Sequence, residues 1–68
     1  MDDHVYKKIE ITGTSGISSD DAVKNAISRA SESIQHLRWY EVVESRGSIK
    51  DGKIDRWQVT LKLGFTMN

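Results

Sequence analysis

Two long stretches of alternating side chains meet at Asp51-Gly52, and this junction constrains the fold more than any other feature. A two-residue turn of the mirror-image type needs positive backbone angles, which Asp and Gly tolerate, so the flanking stretches are expected to pair as an antiparallel hairpin. The first runs from Trp39 to about Ile49. Its period of two sends Tyr40 and Val42 to one side and Trp39, Glu41, Val43 and Ser45 to the other. The second runs from Ile54 to Phe65, with Trp57, Val59, Leu61, Leu63 and Phe65 on one face and Arg56, Gln58, Thr60, Lys62 and Gly64 opposite. That apolar row predicts a central strand.

Upstream, Val5 to Thr12 also alternates, with Val5, Ile9 and Ile11 against Tyr6, Lys8, Glu10 and Thr12, and Lys7 as the exception. It predicts a first strand, ended by Gly13-Thr14-Ser15-Gly16. Ser18, with Asp21 three residues later, supplies the oxygens that accept the free amides of a helix start. From there to about Leu37, Ala22, Val23, Ala26, Ile27, Ala30, Ile34 and Leu37 form one stripe of a helix, with alanines that imply close packing on the sheet. Acidic residues open this helix, and His36 and Arg38 are expected at its end, which suits its dipole. The fold class predicted is α+β: β-α-β-β, a three-stranded antiparallel sheet wrapped around one helix, in a single domain over residues 1–68.

A chain of 68 residues without cysteine builds a thin core that neither disulfides nor zinc can staple, which makes self-association the expected source of added stability. Ten basic residues balance ten acidic ones, so charge suggests no nucleic-acid or anionic-membrane surface. Asp2 and Asp3 with no apolar run behind them predict no secretory signal, and no stretch is long enough to span a bilayer. The expected location is cytoplasmic. His4 and His36 lie far apart in the chain, so no metal site is expected. Glu10, Glu41 and Glu44 give no converging catalytic pair, with Glu44 expected to point away from the others.

If Tyr40, Val42, Trp57, Val59, Leu61 and Leu63 cover the helix, Trp39, Glu41, Ser45, Gln58, Thr60 and Lys62 share the opposite, open face. The simplest register around Asp51-Gly52 sets Ser45 opposite Gln58. An indole and an amide that both donates and accepts hydrogen bonds then occupy one surface, which suits a planar heterocycle with polar edges. An aromatic at such a position is, on its own, more often an oligomer contact than a ligand platform. Trp57, in the apolar row, is expected in the core.

The succession Tyr6-Lys7-Lys8, Thr12-Gly13-Thr14-Ser15, an alanine-rich helix, Trp39-Tyr40-Glu41-Val42, Arg46-Gly47 and Trp57-Gln58-Val59-Thr60 closing on Gly64-Phe65 resembles the dodecins, in order and spacing over nearly the whole chain. These are small flavin-binding proteins. The resemblance implies a hollow spherical homododecamer in which flavins lie in antiparallel pairs between symmetry-related indoles. By the same resemblance Trp39 is the indole that stacks on the isoalloxazine and Gln58 the amide that bonds its pyrimidine edge. Arg46 matches a basic residue near the flavin, able to pair with the phosphate of FMN. Tyr6, Lys7 and Arg29 are similar to positions implicated in holding coenzyme A. Many bacterial members carry an arginine after the Gly-Phe pair, where this chain has Thr66; that departure takes a charge from the phosphate and coenzyme A contacts and strengthens the case for a non-phosphorylated flavin, with FMN and riboflavin both remaining as expected ligands.

The expectation is therefore a non-enzymatic protein of flavin storage, buffering and photoprotection. The alternative is a self-assembling structural shell, or a protein-interaction module, whose open face takes no small molecule.

Overall fold

The computed structural model describes residues 3–67. Strand β1 (Tyr6–Ser15) leads into helix α1 (Ser19–Ser31), and the chain returns through β2 (Leu37–Lys50) and β3 (Lys53–Thr66). The sheet order is β1-β3-β2, with both outer strands antiparallel to β3. The apolar row of β3 takes the central place because it alone can be covered while being hydrogen-bonded on both edges. Lys50 pairs with Lys53 across the Asp51-Gly52 turn, whose φ angles of 53° and 75° are those the mirror-image turn requires.

The core lies between α1 and the middle of the sheet. Ala22, Ala26 and Ala30 are buried against Val59, Leu61 and Leu63, with Ile9, Ile11, Val23, Ile27, Ile34 and Leu37 packed around them. The alanines allow the helix to lie close to the strands. At Gly13 the approach is closest: a Cβ there would run into the carbonyl oxygen of Ala22 and the Cβ of Ala26. The helix start follows the expected chemistry, with Ser18 Oγ accepting from the amide of Asp21 at 3.0 Å. A second clasp joins it. Buried Ser15 donates to Asp21 Oδ2 at 2.7 Å and accepts from the amide of Ile17 at 2.9 Å, tying the end of β1 to the first turn of α1.

Several boundaries differ from the sequence reading. The first strand continues through Gly13-Thr14-Ser15, because these residues pair with Val59, Gln58 and Trp57 of β3. The helix stops at Ser31, six residues short of Leu37. The amides of Ser33 and Ile34 both turn back to the carbonyl of Ala30, and His36 takes a φ of 67° that reverses the chain into β2. Ile34 and Leu37 still pack on the core, so the apolar spacing was a property of the cluster rather than of one long helix. His36 and Arg38 thus lie outside the helix, and Arg29 is the basic residue of its last turn.

The β2–β3 ladder also departs from a straight register. Its pairing shifts between Leu37 and Trp39, between Val42 and Glu44, and between Ser48 and Ile49. Each bulge puts one extra residue into one strand and exchanges the faces of the residues beyond it. Ser45 consequently pairs with Val59 on the helix side, while Glu44 and Arg46 come to the open face opposite Thr60 and Gln58. The expected pairing of Ser45 with Gln58 is corrected to Arg46 with Gln58, and Glu44 joins the face it was expected to avoid. Tyr40 and Val42 do lie on the helix side, yet α1 is laid chiefly over β1 and β3, and both residues remain about half exposed. Trp57 is half-buried beyond the end of the helix rather than in the core.

Candidate functional site

The open face is a set of rows running across the three strands in the order β1-β3-β2. Lys8, Gly64 and Trp39 form one row; Glu10, Lys62 and Glu41 the next; then Thr12, Thr60 and Glu44; then Thr14, Gln58 and Arg46. Tyr6 stands beyond the first row, opposite Thr66. Polar side chains meet across the middle rows, where the hydroxyls of Thr12 and Thr60 are 2.8 Å apart and Lys8 Nζ is 3.2 Å from Glu41 Oε1.

Trp39 dominates the first row. A Cβ placed on Gly64 would overlap Cδ2, Cε2 and Cζ2 of the indole, three consecutively bonded carbons, which is contact with the ring's face rather than its rim. The ring therefore lies flat on the backbone of β3, over the one residue with no side chain to lift it. Tyr6 meets it edge to face at 6.0 Å between centroids and an interplanar angle of 62°, a favoured geometry for aromatic pairs. Lys8 Nζ stands over the ring, 5.7 Å from its centroid. Trp39 retains 37% of its surface exposed. An indole seated on Gly64 by one face, with only a half-exposed lysine ammonium above the other, is a platform for a second flat ring once that ammonium moves aside.

Trp39 and Gln58 share this face, as the alternation predicts, but they do not meet. Gln58 lies six residues along β3 from the Gly64 beneath the indole, about 20 Å at strand rise. Its neighbours are Thr14 and Arg46, so the amide and the guanidinium form one corner of the face and the indole another. The positions matched to coenzyme A are also divided. Tyr6 belongs to the open face, beside Trp39. Lys7, paired with Phe65, is on the other side of the sheet, where Lys7 and Arg29 border grooves that share Ser33 and Ile34.

Sequence reasoning missed the seat provided by Gly64, the role of Lys8 above the ring, and Glu44. Once Trp39 and Gly64 are placed on one face, their pairing is legible from the hairpin count. The bulge that exposes Glu44 has a weak trace in the adjacent apolar pair Val42-Val43, which cannot both face the helix. Among the described residues no group of three or more His, Asp or Glu side chains converges as a metal site, and no helix is long and apolar enough to cross a membrane.

Comparison with known proteins gives the same architecture. A dodecin of Thermus thermophilus is 41% identical over 63 residues, covering 93% of this chain and 91% of that protein. The calcium dodecin of Mycobacterium tuberculosis is 32% identical over 63 residues, covering 93% of this chain and 89% of that protein. Among solved structures, the dodecin of Streptomyces coelicolor superimposes with a TM-score of 0.93 at 47% identity, covering 100% of this chain and 97% of that one. Dodecins are small, non-enzymatic proteins of the flavin-binding type, and the dodecamer is the family's known assembly. With the dodecin family model matching residues 5–68 and the β-α-β-β fold now in hand, the chain belongs to the dodecin family.

Proposed function

We propose that this chain is a flavin storage, buffering and photoprotection protein of the cytoplasm, acting as one domain within a homododecamer. FMN or riboflavin stacks in pairs between Trp39 side chains of symmetry-related subunits. The observation that carries this reading is the indole of Trp39, seated on Gly64 by one face with the other turned off the sheet. Gln58 supplies the amide for the pyrimidine edge. Because Gln58 is about 20 Å from the indole along β3, a ring on Trp39 of one subunit takes its amide from another. Assembly is then a condition of the site, which joins the shell reading to the flavin reading instead of opposing it.

A stacked isoalloxazine brings a light-absorbing, redox-active ring against an indole able to quench it by electron transfer. What the chain itself does is hold that ring flat, exclude water from its faces and bond its polar edge. Arg46, next to Gln58, is the cation available to a flavin phosphate, while Thr66 stands where many relatives carry an arginine, so riboflavin is the preferred ligand. Lys7 and Arg29 are proposed to hold a coenzyme A phosphate on the helix side, with Tyr6 reaching that ligand only across a subunit boundary.

The test is a fluorescence titration of riboflavin and FMN, with light scattering on the eluted particle. The expected result is strong quenching that saturates near one flavin per chain, on a particle of about twelve subunits as the pairing of one ring with one indole requires. An assembled particle that leaves flavin emission unchanged would transfer Trp39 to the subunit interface and leave the structural shell as the function.

A further inference from the structure

The face of Trp39 on which a ring would stack is already in use. Gly64 fills the lower face of the indole, so the Lys8 ammonium that stands over the ring at 5.7 Å can only be on the outer one. It is held there from outside the aromatic cluster. Lys8 rises from β1 in the row it shares with Gly64 and Trp39, and its ammonium ends 3.2 Å from the Glu41 carboxylate, which belongs to the next row on β2. The ion pair thus bridges the two outer strands above β3, with the lysine tethered at its tip. A cation above an indole face is attracted by the ring's quadrupole, and the carboxylate adds a second attraction. Both partners of the ion pair are about half exposed, so each attraction is weak and reversible.

We propose that Lys8, tied down by Glu41, is an affinity-determining strap across the stacking face of Trp39, which a planar ligand must displace. This deepens the flavin reading and rests on it. The strap covers the apolar face of the indole when no ligand is present, and it sets the affinity of the stacked ring below what the bare platform would give. Since the contact displaced is electrostatic while riboflavin is uncharged, salt should loosen the strap without weakening the ligand's own contacts.

The experiment compares the assembled wild-type protein with Lys8→Met, which keeps the length and apolar stem of the side chain and removes the charge, and with Glu41→Gln, which leaves Lys8 in place without its tether. Riboflavin should bind Lys8→Met about fivefold more tightly, the combined size of an exposed cation–π contact and an exposed ion pair. Glu41→Gln should move the same way by about half as much on a logarithmic scale, since the tether is one of those two contacts. Raising sodium chloride from about 20 to about 500 mM should tighten riboflavin binding to the wild type and leave Lys8→Met unmoved, as screening predicts. The strap itself is read without flavin: in a Trp57→Phe background, Lys8→Met should shift the emission of Trp39. Failure of the wild type to bind riboflavin would sink the flavin reading and leave this last measurement standing on its own. Wild-type binding that is unchanged or weakened by Lys8→Met, or an emission that does not move, would overturn the strap.

Discussion

The half of the sheet beneath α1 and the half left bare carry the same alternation of apolar and polar residues, yet this chain closes only one of them. Under the helix, Leu61 is fully buried and Val59 and Leu63 nearly so, each facing an alanine-lined helix. Along β2 no residue of the strand is buried, although Tyr40, Val42, Val43 and Ile49 are all apolar or aromatic. A 13-residue helix lies over strands of 14 residues, and at 1.5 Å rise against 3.3 Å it spans less than half their length. The difference teaches how far one helix can close a sheet: the covered half is this chain's own core, and the bare half keeps its apolar side chains exposed, the surface that the proposed assembly would cover.

The largest effect should come from the covered side. Leu61→Ala would open a cavity in a core of six buried residues and is expected to cost about 2–5 kcal/mol, a large part of the stability of so small a domain; chemical denaturation measures it. A midpoint that did not move would break the distinction at its root. On the bare side, Tyr40→Lys with Val42→Lys removes little from the chain's own packing, since both residues are half exposed in it, but it places charge in the surface that neighbours must cover. Light scattering should find the dodecamer gone. A particle of full size would show that this surface faces solvent in the assembly.

How much of this was legible in the sequence divides along the same line. The hairpin, the central strand, the N-cap at Ser18 and the alanine stripe were readable because each depends on neighbours within a few residues. The end of α1 was not, since Ile34 and Leu37 continue the apolar spacing and only the left-handed turn at His36 breaks it. The bulges of β2 were not either. They fit a strand to a twisted partner: the extra residue Asp55 on β3 sets Arg46 opposite Gln58, and the extra residue Val43 on β2 restores the register and puts Ser45 on the helix side relative to Trp39. For the site, parity placed Trp39 and Gln58 on one face. It carried no information on their separation along β3, and so none on the second subunit that the flavin reading needs.

Two substitutions sharpen the comparison on the open face, where the ligand platform is exposed and the core is not touched. Trp39→Ala should weaken flavin binding by about 1–3 kcal/mol, the range for stacking on one aromatic, with little change in chain stability, because the indole rests on the outside of the sheet. Gly64→Ala tests the seat alone. Its methyl group would take the space of the indole carbons, so the ring must tilt or slide, and flavin affinity should fall by about tenfold, or 1.4 kcal/mol, while Trp39 remains present. Titration with riboflavin reads both. An alanine at Gly64 that left affinity intact would mean that the ring does not need its flat seat.

The smallest effect returns to the covered half and asks whether damage there stays there. Ser18 Oγ satisfies the amide of Asp21 at 3.0 Å, and its loss in Ser18→Ala leaves one helix-end donor without that partner. Removing such a cap costs about 1 kcal/mol. The neighbouring clasp, in which Ser15 bonds both Asp21 Oδ2 and the amide of Ile17, still holds the helix to the end of β1, so the helix should keep its position and the loss should stay near that value. Denaturation is expected to report the lower stability, and riboflavin titration of the assembled variant is expected to match the wild type, since the cap lies on the opposite side of the sheet from Trp39. A variant that lost affinity in step with stability would show that the covered half positions the open face through the sheet, and the two halves would then have to be treated as one cooperative unit.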